Sequence, residues 1–157
     1  MIPPPSEHDG KDVHERYAVI ASGESSGLGG DTYYGYLENL RERVERNFVA
    51  AGVELGHHRV SLVEGLVQDT LAVDAPVFLA HFDVDWYDPV MTCLERIVPR
   101  LHGDGFIVFD DYLDWSGCRR AVDEYFKDRR SEFVFDDRPG SLTVARAGNR
   151  WMRGFTT

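Results

Sequence analysis

Cysteine is nearly absent from this sequence: Cys93 and Cys118 are the only two. Two thiols do not make the framework of a disulfide-stapled secreted domain, and each reads as a small, half-buried hydrophobe in a reducing cytosol. Long apolar runs are missing as well. None approaches the ~20 residues needed to cross a bilayer, and the opening "MIPPPSEHDG" has neither the basic region nor the apolar core of a signal peptide. The expectation is a cytoplasmic protein with no membrane partner. Positive charge is in deficit, with 17 Lys and Arg against 27 Asp and Glu and a net charge of -10. So acidic a chain repels phosphate backbones, which argues against nucleic acid as a partner. No internal repeat is visible. What is present, 43% apolar and 28% charged residues over 157 positions, suits a single soluble domain with a core of its own.

Punctuation dominates the start. "IPPPSEHDG" cannot be helix and "ASGESSGLGGDT" reads as a Gly/Ser loop, so residues 1–32 are expected to be irregular. Residues 33–51 read as a helix, because Leu37, Leu40, Val44 and Phe48 recur at three and four and Gly52 follows. "RVSLVEG", 59–65, reads as a short strand. "APVFLAHFD" is a second, apolar on both faces as in a covered parallel sheet. Asp88 and Pro89 then fit the cap and first position of a helix whose buried stripe is Met91, Leu94, Val98 and Leu101. "GDGFIVFDD" is a turn and a third strand. Ser116 can cap a further helix with Cys118, Ala121, Val122 and Tyr125 inward, and "EFVFDD", "RPG" and "SLTVAR" read as an antiparallel hairpin. Strands alternating with helices predict an α/β fold with a mostly parallel sheet and a C-terminal antiparallel edge.

The chemistry gathers at two strand ends. Open α/β sheets bind ligands at the carboxyl ends of their strands. One apolar strand here ends at Asp83 and Asp85, the next at Asp110 and Asp111. If the strands are neighbours, at least three carboxylates crowd one edge, and two like charges ~4 Å apart repel by about 4 kcal/mol at an effective dielectric near 20. A proton, an arginine or a divalent cation can offset this. Hard oxygen ligands with no soft ligand suit magnesium, calcium or manganese. The plain alternative is that these aspartates cap the following helices and turns.

The stretch "HFDVDWYDPVMTCLERIVPRLHGDGFIVFDDYLDWSGCRRAVDEYF" resembles the macrocin O-methyltransferase family, metal-dependent class I enzymes that use S-adenosylmethionine. The pattern is carried by Asp83, Asp85 and Tyr87, then Pro99, Leu101 and Gly105, then Asp110, Asp111 and Tyr112, then Gly117, Cys118, Ala121 and Val122. Asp104 replaces the first glycine of a Gly-Gly pair. Upstream, "GGDTYYGYLENLRERVERNF" also fits. The resemblance implies a partial class I methyltransferase (Rossmann-like) fold and a small-molecule hydroxyl acceptor, often a natural-product sugar. It implies Asp83, Asp110 and Asp111 as ligands of Mg2+ or another divalent cation. It implies Asp83 or Asp85 as general base, with His81 as runner-up. "RVSLVEGLVQDTL" is similar to the segment after the third strand of catechol O-methyltransferases, which implies Gly65, Val67 and Gln68 beside the cofactor's adenine. Trp86, Tyr87, Tyr112 and Trp115 flank the carboxylates and are candidates for an acceptor pocket.

The family's fold opens with two strands for which this sequence has no counterpart; they bring the cofactor's glycine-rich turn and ribose-binding acid. The expectation is therefore an N-terminally truncated piece, inactive alone, with an unpaired apolar edge on "PVFLAHF" that a second copy of the chain can cover. Two rivals remain at this level. An Asp-x-Asp after an apolar strand also serves metal-dependent glycosyltransferases, and a non-catalytic remnant would equally lack the cofactor turn.

Overall fold

The computed structural model describes residues 2–56, 60–138 and 140–151. The chain divides into two compact units, one of residues up to 4 with 16–65, the other of 5–15 with 66 onward. The division falls inside helix α1, Lys11–Ala21. This helix lies in the stretch expected to be irregular. Val13, Tyr17 and Ile20 are spaced by four and three, a stripe too thin among charged neighbours to register as periodicity, yet Val13 and Ile20 are buried.

In the first unit, helix α2 runs Leu40–Ala50. It starts later than the pattern from residue 33 predicts, because Tyr34–Tyr36 forms a 3-10 turn ahead of it. Tyr36 anchors that turn: its hydroxyl donates to the carbonyl of Ile20 at 2.8 Å and accepts from the amide of Ser25 at 3.1 Å. The expected strand "RVSLV" does not form over the described residues 60–65. Its β-branched composition favours a strand, but a strand needs a ladder partner, and among the described residues every strand belongs to the other unit.

The second unit carries the sheet. A single helical turn, α3 (Val67–Thr70), precedes strand β1 (Val77–Phe82), helix α4 (Tyr87–Ile97) and strand β2 (Leu101–Phe109). Helix α5 (Ser116–Phe126) follows, then the hairpin β3 (Phe133–Asp136) and β4 (Leu142–Arg146). The strand order is β1-β2-β4-β3. β1 and β2 are parallel, and the other two pairings are antiparallel. The fold is α/β with the expected terminal hairpin, and among the described residues the parallel part of the sheet is one pair. Helix α4 starts one residue before Asp88, so Asp88 and Pro89 lie in its first turn. Its buried face is Val90, Cys93, Leu94 and Ile97; that of α5 includes Cys118, Ala121, Val122 and Phe126. Both pack with Ile107, Phe109 and Val144 into one core.

Among the described residues no strand pairs with the outer edge of β1, and Phe78 and Leu79 are 56% and 60% exposed on it. A row of unpaired amides and carbonyls flanked by apolar side chains is a template for another strand. Residues 1–157 are expected to run as a dimer or larger species in light scattering. Leu79→Lys, a charge on that edge, should shift them toward monomer, and an unchanged distribution would show that β1 is not the contact.

Candidate functional site

Phe82 and Phe109, the last residues of β1 and β2, are register partners, so the two strands end level. The amide of Asp110 donates to the carbonyl of Phe82 at 3.1 Å, carrying the ladder one step further. The loops that follow therefore leave the sheet side by side. Asp83, Asp85 and Asp111 each bring one carboxylate oxygen into a group whose members all lie within 4.8 Å of one another. Asp83 is exposed, and Asp85 and Asp111 are partly buried.

This differs from the expected ligand set of Asp83, Asp110 and Asp111. Asp110 continues the pleat of β2, and its Oδ1 lies 3.5 Å from His81 Nε2 on the neighbouring strand. Asp111, one residue on, turns into the group, and Asp85 takes the third place. His81 and Asp110 are both about half exposed, so this pair stands at the surface.

Asp111 has the most perturbed carboxyl in the group. Burial pushes it up to about 7, helped by a hydrogen bond with Asp85 and by the charges of Asp85, Asp83 and Asp110. Its Oδ2 is buried with no hydrogen-bond partner. An acceptor oxygen buried without a donor is costly, and three crowded carboxylates add repulsion. A hard divalent cation answers both, and this donor set suits magnesium, manganese or calcium. The thiol of Cys118 is pushed up to about 12 by burial and then by the charges of Asp111 and Asp85, so it stays protonated and is no soft ligand.

The candidate adenine segment has its own unpaired group. The Gln68 side-chain oxygen Oε1 is buried with no partner. The segment is held by Arg96 of α4, whose guanidinium donates to the carbonyls of Leu71 at 2.8 Å, Val67 at 3.1 Å and Gln68 at 2.7 Å. Gly65 has φ of 134°, a conformation open to glycine. Val67 packs against the core. Nothing in the sequence marked Arg96, because its three acceptors are backbone carbonyls.

The aromatics beside the carboxylates are tied into the fold. Trp86 is buried edge-to-face with Trp115. The Tyr87 hydroxyl donates to Glu124 at 2.6 Å, and that of Tyr112 to Asp123 at 3.0 Å.

A family model described as Macrocin-O-methyltransferase (TylF) matches residues 24–134. Demethyldecarbamoylnovobiocin O-methyltransferase of Streptomyces niveus is 31% identical over 115 residues, covering 71% of this chain and 40% of that enzyme. The 8-demethyl-8-(2,3-dimethoxy-alpha-L-rhamnosyl)-tetracenomycin-C 4'-O-methyltransferase of Streptomyces olivaceus is 35% identical over 93 residues, 58% of this chain and 34% of that one. The chain thus spans less than half the length of these relatives. Among solved structures, the O-methyltransferase NovP superposes with a TM-score of 0.63 at 24% identity, over 93% of this chain and 56% of NovP. CalS11, a TDP-rhamnose 3'-O-methyltransferase of calicheamicin biosynthesis, gives 0.52 at 25% identity, over 72% of this chain and 55% of its own. Taken with the paired acidic strand ends, these likenesses establish that the chain belongs to the macrocin O-methyltransferase family.

Proposed function

We propose that this chain is the acceptor-activating part of an S-adenosylmethionine- and divalent-metal-dependent O-methyltransferase whose acceptor is a hydroxyl, in particular a sugar hydroxyl of a natural product. The single observation that carries the metal reading is the convergence of Asp83, Asp85 and Asp111 on a buried, unpaired Asp111 oxygen. The sugar reading rests on the rhamnosyl and TDP-rhamnose substrates in the names of two relatives.

When bound, the cation supplies Lewis acidity toward the acceptor hydroxyl, and S-adenosylmethionine supplies the methyl group. Asp83, Asp85 and Asp111 would hold the cation. Asp85, hydrogen-bonded to Asp111 beside the site, would also take the hydroxyl proton. His81, oriented by Asp110, is the alternative acceptor of that proton at the surface. Gln68 Oε1 is a ready acceptor for the amino group of an adenine. Arg96 keeps it in place through the three backbone carbonyls it binds.

Saturation-transfer NMR of residues 1–157 with S-adenosylhomocysteine and with UDP, each with manganese replaced by diamagnetic magnesium, tests the reading. The expected result is contact with the adenine protons of S-adenosylhomocysteine, weakened about tenfold in Gln68→Ala, and none with UDP. Magnesium-dependent contact with UDP alone would assign the chain to nucleotide-sugar chemistry.

A further inference from the structure

The acidic trio sits on two loops, 83–86 and 110–115. Each loop runs into a helix that lacks a cap of its own. The residues before α4 and α5 are Trp86 and Trp115, and neither makes a side-chain cap hydrogen bond. Both caps come from one short segment more than 70 residues away in sequence. Asp9 Oδ1 accepts the Tyr87 amide at 2.8 Å. Asp12 Oδ2 accepts the Ser116 amide at 2.9 Å, and its Oδ1 accepts the Ser116 hydroxyl. Tyr87 is two residues beyond Asp85, and Ser116 five beyond Asp111.

The segment is built to stay there. Asp9 is buried, and its Oδ2 is fixed by the amide of Ser6 at 2.8 Å and the Ser6 hydroxyl at 3.3 Å. Arg120 of α5 donates to the His8 carbonyl at 2.8 Å, and the His8 ring lies 4.7 Å from that of Tyr87. Gly117 lets Asp9 in: a Cβ there would overlap Asp9 Oδ1 and come within 2.9 Å of the Tyr87 amide nitrogen. Asp12 is held in its charged form: burial raises its pKa, but the hydrogen bonds from Ser116 and from the backbone amides of Val13 and Asp12 together outweigh that and lower it.

We infer that Asp9 and Asp12 are positioning residues, a double cap that ties the α4 and α5 starts to one strap and so sets the spacing of Asp85 and Asp111 for the cation. The inference rests on the proposed metal site. Manganese affinity, read from the free-ion electron paramagnetic resonance signal, tests it in residues 1–157, with metal-free urea transitions recorded on the same samples. Asp9→Ala and Asp12→Ala should each weaken manganese binding at least about tenfold. Asp12→Asn, which keeps an acceptor oxygen, should cost about threefold or less. Equal losses in Asp12→Ala and Asp12→Asn would assign the effect to charge alone and overturn the inference, as would folded alanine variants that bind like the parent. If an alanine variant fails to fold, Ser116→Ala carries the test: about threefold weaker binding is expected, and unchanged binding overturns it. A parent chain that takes up no manganese would sink the metal site itself, a result distinct from any of these.

Discussion

Asp83→Asn combined with Asp111→Asn should abolish calorimetrically detectable binding of magnesium and manganese, while Asp110→Asn should leave the affinity within about threefold. The contrast follows from where the side chains lie. Asp83 and Asp111 each place an oxygen in the convergent group, and Asp110 stands beside His81 outside it. Two direct ligands lost from a divalent ion at an effective dielectric near 20 remove several kcal/mol, at least about a hundredfold in affinity. Asp110 acts only through screened charge. The metal-free double variant should stay folded and gain about 1 kcal/mol in urea, since repulsion is relieved and amide groups can hydrogen-bond one another. Retained binding in the double variant would remove the site. An Asp110→Asn defect as deep as that of the double variant would restore the ligand set expected from sequence.

That choice between adjacent aspartates marks where sequence reading stops. The two strand ends were legible because an apolar run that breaks into Asp-x-Asp, and another into Asp-Asp, has few other readings. Which of Asp110 and Asp111 turns inward was not, because it depends on the pleat persisting one step past Phe109, through the Asp110 amide on the Phe82 carbonyl. Helices α4 and α5 were legible from their stripes at three and four. Helix α1 was hidden by its narrow stripe, and "RVSLV" misled because β propensity is realised only beside a partner strand. The double cap left no local signal at all. Asp9 and Asp12 look like loop and helix acids until tertiary structure brings Tyr87 and Ser116 to them, 78 and 104 residues away. The Gln68 reading came from resemblance, and the structure adds a buried, unpaired oxygen on that same side chain.

Manganese binding should be steeply pH-dependent below neutrality. The Asp111 carboxyl is raised from 3.8 to about 7, chiefly by burial and then by Asp85, so near pH 6 it carries a proton in the folded, metal-free chain. A cation must displace that proton, so affinity should rise about tenfold per pH unit up to about pH 7 and flatten above it. Titrations in two buffers of different ionisation enthalpy should report about one proton released per ion at about pH 6 and none at about pH 8. Folding stability runs the other way. Between about pH 4 and pH 7 the folded chain binds a proton at Asp111 that the unfolded chain does not, so metal-free stability falls as pH rises through this window and levels off above it. For a fully buried group the shift would be worth about 4 kcal/mol, and solvent around the partly exposed Asp111 screens it to on the order of 2 kcal/mol. Asp111→Asn should remove the slope, and saturating magnesium should flatten it by holding Asp111 ionised. An affinity constant from about pH 5.5 to 8 would mean that the displaced proton is not there, and that the trio is arranged around some other partner.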